Sequence, residues 1–299
     1  MTRLAKYARL VKFSHTVFAL PFALLATFLA GASHEVGYVH TAPFWGKLGL
    51  VLVCMASARS AAMAFNRIVD FRIDAANPRT ADRPLQTGQL SLKHAGYFYA
   101  GCWAVFLAAC GAFGALWGNY WPIALAAPLL AGLSLYSLTK RFTAVCHLLL
   151  GAALGLAAPG AWLAVSPQTF GWTSIVLGAA VLCWVGGFDI LYSLQDIRFD
   201  LAHGLHSIPA ALGPANALWI SRSLHLTCVT CLLATWRLAA THLGRIYLAG
   251  VAAAAMVLLI EQMLVSPRNF SRVNVAFFTC NGVVSVLLGA AGIADVLTT

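Results

Sequence analysis

The feature that most constrains this chain is a series of apolar runs, each about 17–25 residues long, the length an α-helix needs to cross the hydrocarbon core of a bilayer. They lie near 13–31, 46–66, 95–117, 120–138, 143–164, 170–192, 216–239, 245–264 and 273–296. Inside hydrocarbon each backbone N–H and C=O must find a partner within its own segment, so runs of this kind fold as helices. Composition agrees: 61% of residues are hydrophobic and 9% charged, more apolar material than the interior of a soluble domain absorbs. The expected fold is all-α, a polytopic bundle of nine transmembrane helices. It forms one domain over 1–299, with pseudo-repeated halves at about 1–142 and 143–299. The first run follows Arg3, Lys6, Arg9 and Lys12 as in a signal peptide. Its length and the lack of a clear small-residue cleavage site predict a retained helix instead.

Nine spans place the amino terminus and the loops near 67–94, 139–142, 195–215 and 265–272 on one side. Of the 19 Lys and Arg residues, Arg59 sits mid-span, and Lys47, Arg237 and Arg245 fall on the opposite side. All the others fall on the first side or at its boundary, which the positive-inside rule makes cytoplasmic, in a bacterial-type inner membrane. That bias, with anionic lipid at the cytoplasmic surface, accounts for the net charge of +10 without nucleic acid. Trp117, Tyr120 and Trp121 mark an interface on the far side. The eight cysteines lie mostly in apolar runs. Cys228 and Cys231, with no second pair and no flanking histidine, read as small buried hydrophobes and not as a zinc or redox site.

In so apolar a chain only nine carboxylates occur, and Asp70, Asp74, Asp189, Asp196 and Asp200 all sit at the ends of two apolar runs. Asn66, Asp70 and Asp74 are spaced four apart, as are Tyr192, Asp196 and Asp200, so the second stretch repeats the first at a constant offset. Four residues of helix give about 6 Å of rise and about 40° of rotation. Each stretch should therefore present two carboxylates on one face. Two such clusters suit Mg²⁺, a hard cation that takes one or two carboxylates and completes its shell with water and phosphate oxygens. The expected ligand is a metal-held diphosphate.

Cations surround these acids. Arg59, two turns before Asn66 on the same face, costs about 2.5–3.5 kcal/mol in mid-membrane unless it points into the bundle. There it meets either an anionic acceptor substrate or backbone carbonyls. Beyond Asp74 the prolines of the 77–88 segment, with Arg79 and Arg83, predict an ordered cap over an anion, and Ser91 an N-cap for the next helix. Lys140 and Arg141 end the fourth run, placed to neutralise diphosphate charge that the metal leaves over. His15 and His147 are candidate cavity residues. His203 and His206 lack the Glu-x-x-His companion of a zinc site, and with Ser207-Ile-Pro209 they read as a polar cap of the second acidic loop. Pro21 should kink the first helix. Gly151, Gly155 and Gly160 should allow close helix contact, and Glu261 should snorkel to the interface.

Asn66, Asp70 and Asp74 with Asn77-Pro-Arg79-Thr and Arg83-Pro84, then Lys140-Arg141-Phe-Thr, then Asp189, Tyr192, Asp196 and Asp200, together resemble the UbiA superfamily of intramembrane aromatic prenyltransferases over nearly the whole chain. The resemblance implies a nine-helix bundle whose central cavity is capped by cytoplasmic loops. It implies that Asn66, Asp70, Asp74, Asp196 and Asp200 hold Mg²⁺ and the diphosphate of a polyprenyl donor, with Asp189 and Tyr192 beside them. Arg67, Lys140 and Arg141 would contact diphosphate oxygens. The physical logic agrees independently: ionising the allylic C–O bond builds negative charge on diphosphate, which metal and cations stabilise. The allylic cation then alkylates an electron-rich ring carbon, provided water is kept away.

The segments Lys12–Phe22 and Gly187–Tyr192 resemble most the bacterial quinone-pathway members acting on 4-hydroxybenzoate, in ubiquinone synthesis. A similar set acts on a dihydroxynaphthoate in the futalosine route to menaquinone, and the acceptor stays open between them. The isoprenoid tail would lie toward membrane lipid, and no obligate protein partner is implied. The rival from another class is a cation-coupled transporter. It requires access from both sides, whereas these acids lie on one, with no chain of polar residues to the other.

Overall fold

A computed structural model describes residues 3–11 and 18–299, with side chains from residue 6 onward. Its elements are α1 (Arg3–Leu10), α2 (Leu20–His34), α3 (Ala42–Val69), α4 (Phe71–Ala76), α5 (Leu92–Trp117) and α6 (Trp121–Thr139). They continue with α7 (Cys146–Gly155), α8 (Ala157–Val165), α9 (Trp172–Ser193), α10 (Ile197–Ala202), α11 (Ile208–Leu238) and α12 (Arg245–Leu264). A turn at Val273–Val275 and a π-helical turn at Ala276–Cys280 lead into α13 (Asn281–Thr298). Among the described residues eight spans are long and apolar enough to cross a membrane: α3, α5, α6, α7 with α8, α9 with α10, α11, α12, and Val273–Thr298. The ninth expected run is represented by the shorter α2, and Lys12 and His15 lie outside the described residues.

Proline and glycine explain where the helices depart from the expected runs. Pro21 stands in the first turn of α2, where a missing N–H costs no hydrogen bond, and so it starts a helix instead of kinking one. The fifth run is two helices because the Pro159 ring cannot pair with the carbonyl of Gly155, four residues back. Within α11, Gly213 takes a left-handed φ of 78° just before Pro214, and the helical path is interrupted there.

The chain divides into two compact units: the described residues of Met1–Thr16 with Gly49–Leu138, and those of Val17–Leu48 with Thr139–Thr299. In the first unit Ala58 and Ala61 of α3 pack with Cys102, Phe106 and Cys110 of α5 and with Ala126 and Leu130 of α6. Leu10 of α1 joins Leu85, Leu90 and Ala95 in a second cluster. Tyr7 stacks on Phe98 with centroids 4.9 Å apart, and Lys6 Nζ donates to the Gln89 carbonyl at 3.2 Å. These contacts tie α1 to the segment that follows the first acidic motif. Ser91 caps α5 as expected, its Oγ accepting the His94 N–H.

In the second unit α9 is the enclosed helix, 72% of its best apolar window being buried. Its neighbour α7 lies backbone to backbone against it: a Cβ on Gly151 would stand 2.4 Å from the Leu182 carbonyl oxygen, and one on Gly155 2.6 Å from that of Gly178. Gly160 has open space instead and takes no part in this contact. Glu261, expected to snorkel, is fully buried at 0% exposure. Asn281 Nδ2 donates to its Oε1 at 2.8 Å, and Trp184 Nε1 donates to Asn281 Oδ1 at 2.6 Å. Lys47 is also buried, its Nζ donating at 2.8 Å to the Val165 carbonyl at the end of α8, where a cation complements the helix dipole.

Candidate active site

Both acidic stretches interrupt their helix at the acid four residues before the last one. Asp70 separates α3 from α4 with φ −90° and ψ 10°. Asp196 closes a 3₁₀ turn, Leu194–Asp196, and leads into α10 with φ −98° and ψ 0°. The helix that the four-residue spacing suggests is therefore not continuous through either motif. What the two stretches share is this backbone break, in a sparsely populated region where active-site residues recur.

In the first motif the Asp74 N–H donates to the Asp70 carbonyl at 2.7 Å, so the two acids remain one turn apart across the break. Asn66 Nδ2 donates to Asp70 Oδ2 at 2.9 Å, and Arg67 Nη1 donates to Asn66 Oδ1 at 2.8 Å, which fixes the amide's orientation. Asp74 is buried and pairs with the Arg83 guanidinium, with Arg67 3.8 Å away. Thr80 Oγ1 donates to the Asp74 carbonyl at 2.8 Å, Gln86 Nε2 to that of Phe71 at 3.1 Å, and the Arg79 N–H to Asn77 Oδ1 at 3.0 Å. The 77–88 segment is therefore an ordered cap, from which the Arg79 side chain extends exposed. Two turns before Asn66, Arg59 Nη1 donates to the Val11 carbonyl at 3.1 Å.

The second motif has the same plan. Asp200, 0% exposed, lies 2.7 Å from Lys140 Nζ through Oδ1 and accepts the Ser207 hydroxyl on Oδ2 at 2.9 Å. The His206 N–H donates to the Lys140 carbonyl at 2.7 Å, which holds the cation's backbone beside the acidic loop. Asp196 is buried, Asp189 is partly exposed, and Arg141 is exposed. Tyr192 packs its ring 4.2 Å from that of Phe277 on the π-helical turn. His147 is enclosed and lies 2.6 Å from Asp189 Oδ2 through Nδ1. His203 stacks on Phe199 at 3.9 Å and its Nδ1 lies 2.9 Å from the Phe199 carbonyl.

Each motif thus ends in an acid committed to a cation, Arg83 on Asp74 and Lys140 on Asp200. The donors on offer are carboxylate and amide oxygens, hard ligands that fit Mg²⁺. Among the described residues no three His, Cys, Asp or Glu side chains gather closely enough to hold a metal alone. An ion at either motif would complete its shell with substrate and water oxygens, as Mg²⁺ does at phosphates. Ser207, expected with His203 and His206 in a polar cap of the second acidic loop, does cap it through Asp200, and it also caps α11. The Thr80 bond to the Asp74 carbonyl and the His147–Asp189 contact have no signal in the sequence.

The UbiA prenyltransferase family model matches residues 19–283. The 4-hydroxybenzoate octaprenyltransferase of Marinobacter nauticus is 30% identical over 293 residues, 97% of this chain and 94% of that protein. That of Edwardsiella ictaluri is 31% identical over 248 residues, 83% of each chain. The apo structure of a UbiA homolog from Aeropyrum pernix K1 superposes with a TM-score of 0.80 at 33% identity, over 94% of this chain and 98% of that one. A UbiA homolog from Archaeoglobus fulgidus bound to GPP and Mg²⁺ shares the fold, with a TM-score of 0.70 at 20% identity over 98% and 99% of the two chains. With both acidic motifs inside the matched region, the chain belongs to the UbiA prenyltransferase family and is an integral membrane prenyltransferase.

Proposed function

We propose that this prenyltransferase transfers a polyprenyl group from polyprenyl diphosphate to a ring carbon of a hydroxylated aromatic carboxylate of the 4-hydroxybenzoate type, in quinone synthesis. The acceptor class rests on the names of the relatives similar to the chain over most of its length. The repeated helix break at Asp70 and Asp196, each one turn before an acid that holds a cation, is the observation that carries the chemistry. Mg²⁺, when bound, supplies positive charge to the diphosphate as the C–O bond ionises. Asn66, Asp70, Asp74, Asp196 and Asp200 are the set that would hold it. Within that set Asp74 and Asp200 also fix Arg83 and Lys140, cations that with Arg67, Arg79 and Arg141 take up leaving-group charge. Asp189, partly exposed where Asp196 and Asp200 are buried, is the acid we assign to accept the acceptor's hydroxyl hydrogen, with Tyr192 beside it. Arg59, which donates a guanidinium N–H to the Val11 carbonyl, is the cation on the same face as Asn66 that would meet the acceptor carboxylate. The enzyme lies in an inner membrane with both motifs cytoplasmic.

The deciding experiment supplies purified protein with Mg²⁺ and one polyprenyl diphosphate, and offers 4-hydroxybenzoate and a dihydroxynaphthoate side by side. Prenylated 4-hydroxybenzoate supports the reading. Product from the naphthoate alone moves the acceptor to the menaquinone route, and product from neither withdraws the substrate assignment.

A further inference from the structure

We propose that His147 is a positioning residue for the acceptor site: a neutral imidazole that bridges Asp189 and the start of α11 and sets which carboxylate oxygen Asp189 presents. The inference rests on the reading that Asp189 faces the acceptor. His147 opens α7 and is 2% exposed, so it touches no substrate itself. Its two nitrogens reach two other helices. Nδ1 lies 2.6 Å from Asp189 Oδ2 on α9, and Nε2 accepts the Ile208 backbone N–H of α11 at 3.3 Å.

The second contact decides the tautomer. A backbone N–H only donates, so the nitrogen facing it must offer a lone pair. The ring proton therefore sits on Nδ1 and is donated to Asp189. A doubly protonated ring would set N–H against N–H at Ile208. The Ile208 N–H is itself one of the donors that the first turn of a helix leaves without a helical partner, and the imidazole satisfies it.

Neither end of the bridge is free to move. On one side α7 is locked to α9 by the Gly151 and Gly155 contacts, where not even a methyl group fits. On the other, Ser207 ties the start of α11 down twice, donating to Asp200 and accepting the Ala210 N–H. The imidazole consequently occupies one acceptor position of Asp189 Oδ2 from the buried side. That leaves the rest of a carboxylate whose side chain is 24% exposed to meet the acceptor hydroxyl. Outer partners that orient a working side chain in this way are the usual means of fixing its geometry.

The test uses purified full-length protein with Mg²⁺, geranyl diphosphate and 4-hydroxybenzoate. His147→Gln keeps an amide donor but cannot span both partners. Its acceptor kcat/KM should fall about 10- to 100-fold, the scale of a misplaced reacting group. The donor KM should stay within about twofold, and adding the substitution to Asp189→Asn should cost little more, as expected of two residues acting through one contact. Additive losses, or a donor KM that rises in step with the acceptor's, overturn the proposal. A second reading needs no turnover: ¹⁵N-histidine spectra of the wild-type protein, with the His147 signal identified by its loss in His147→Gln, should show a protonated Nδ1 and a bare Nε2. If that variant fails to fold, the shift caused by Asp189→Asn identifies the signal instead. The opposite tautomer or a doubly protonated ring overturns the bridge whatever the acceptor proves to be. The expected tautomer in a protein that prenylates neither acceptor would overturn the proposed function and leave the bridge standing.

Discussion

Asp200 shows what a single residue does in this site. It is fully enclosed, yet both its oxygens are engaged, by Lys140 and by Ser207. Removing one partner of such a pair strands a charge, and the cost is dominated by the group left behind. Lys140→Ala should lower stability by about 1–3 kcal/mol, less than for a fully buried pair because the ammonium is 34% exposed. It should also lower turnover more than donor affinity, since leaving-group charge peaks in the transition state. Melting in detergent, read beside turnover and donor KM, separates the two effects. A Lys140→Ala protein that melts lower yet keeps wild-type turnover would make Lys140 a structural cation only. Asp70→Ala and Asp196→Ala make the complementary test. Each should abolish Mg²⁺-dependent donor binding, read by titration with geranyl diphosphate, and leave melting unchanged within a few degrees. Wild-type turnover in either removes the metal assignment.

Elements hold these residues in register, and α7 against α9 is the contact that does so in the second unit. Overpacking a tight contact costs about 1–3 kcal/mol. Gly151→Ala should therefore lower the melting temperature and acceptor turnover together, while Gly160→Ala, with open space around its Cα, should change neither. Equal effects at both sites would place the sensitivity in helix propensity and not in packing. Sequence supplied part of this picture. The glycines announced a close approach, yet which of them makes it depends on the partner helix, which no local pattern names. The four-residue spacing of the acids was legible because carboxylates are so scarce in an apolar chain. The breaks at Asp70 and Asp196 were not, because spacing alone reads as unbroken helix. His147 and Asp189 are 42 positions apart, and Arg59 meets Val11 from 48 away, so tertiary packing alone reveals them.

For the whole molecule, the division into units is the least legible feature, because Val17–Leu48 joins residues 139–299 although it precedes Gly49–Leu138 in the chain. The proposed topology, by contrast, rests on charge alone. Among the basic residues expected on the far side, Lys47 is buried, its ammonium donating to the Val165 carbonyl and lying 5.4 Å from the centre of the Tyr38 ring. With Lys47 enclosed, the loops expected on the far side carry few cations, and the bias of the others sets the proposed orientation. Val36, fully exposed after α2, and Asp82, exposed in the segment that follows the first motif, should therefore lie on opposite faces of the membrane. The native cysteines are all free, and only Cys54 and Cys231 escape the buried class, so background labelling should be weak. In spheroplasts a membrane-impermeant maleimide should label Val36→Cys at once and Asp82→Cys only after lysis. The reverse pattern would put the acidic motifs outside, away from the cytoplasmic supply of diphosphate donor, and would overturn the proposed orientation even if the enzyme prenylates as expected in detergent.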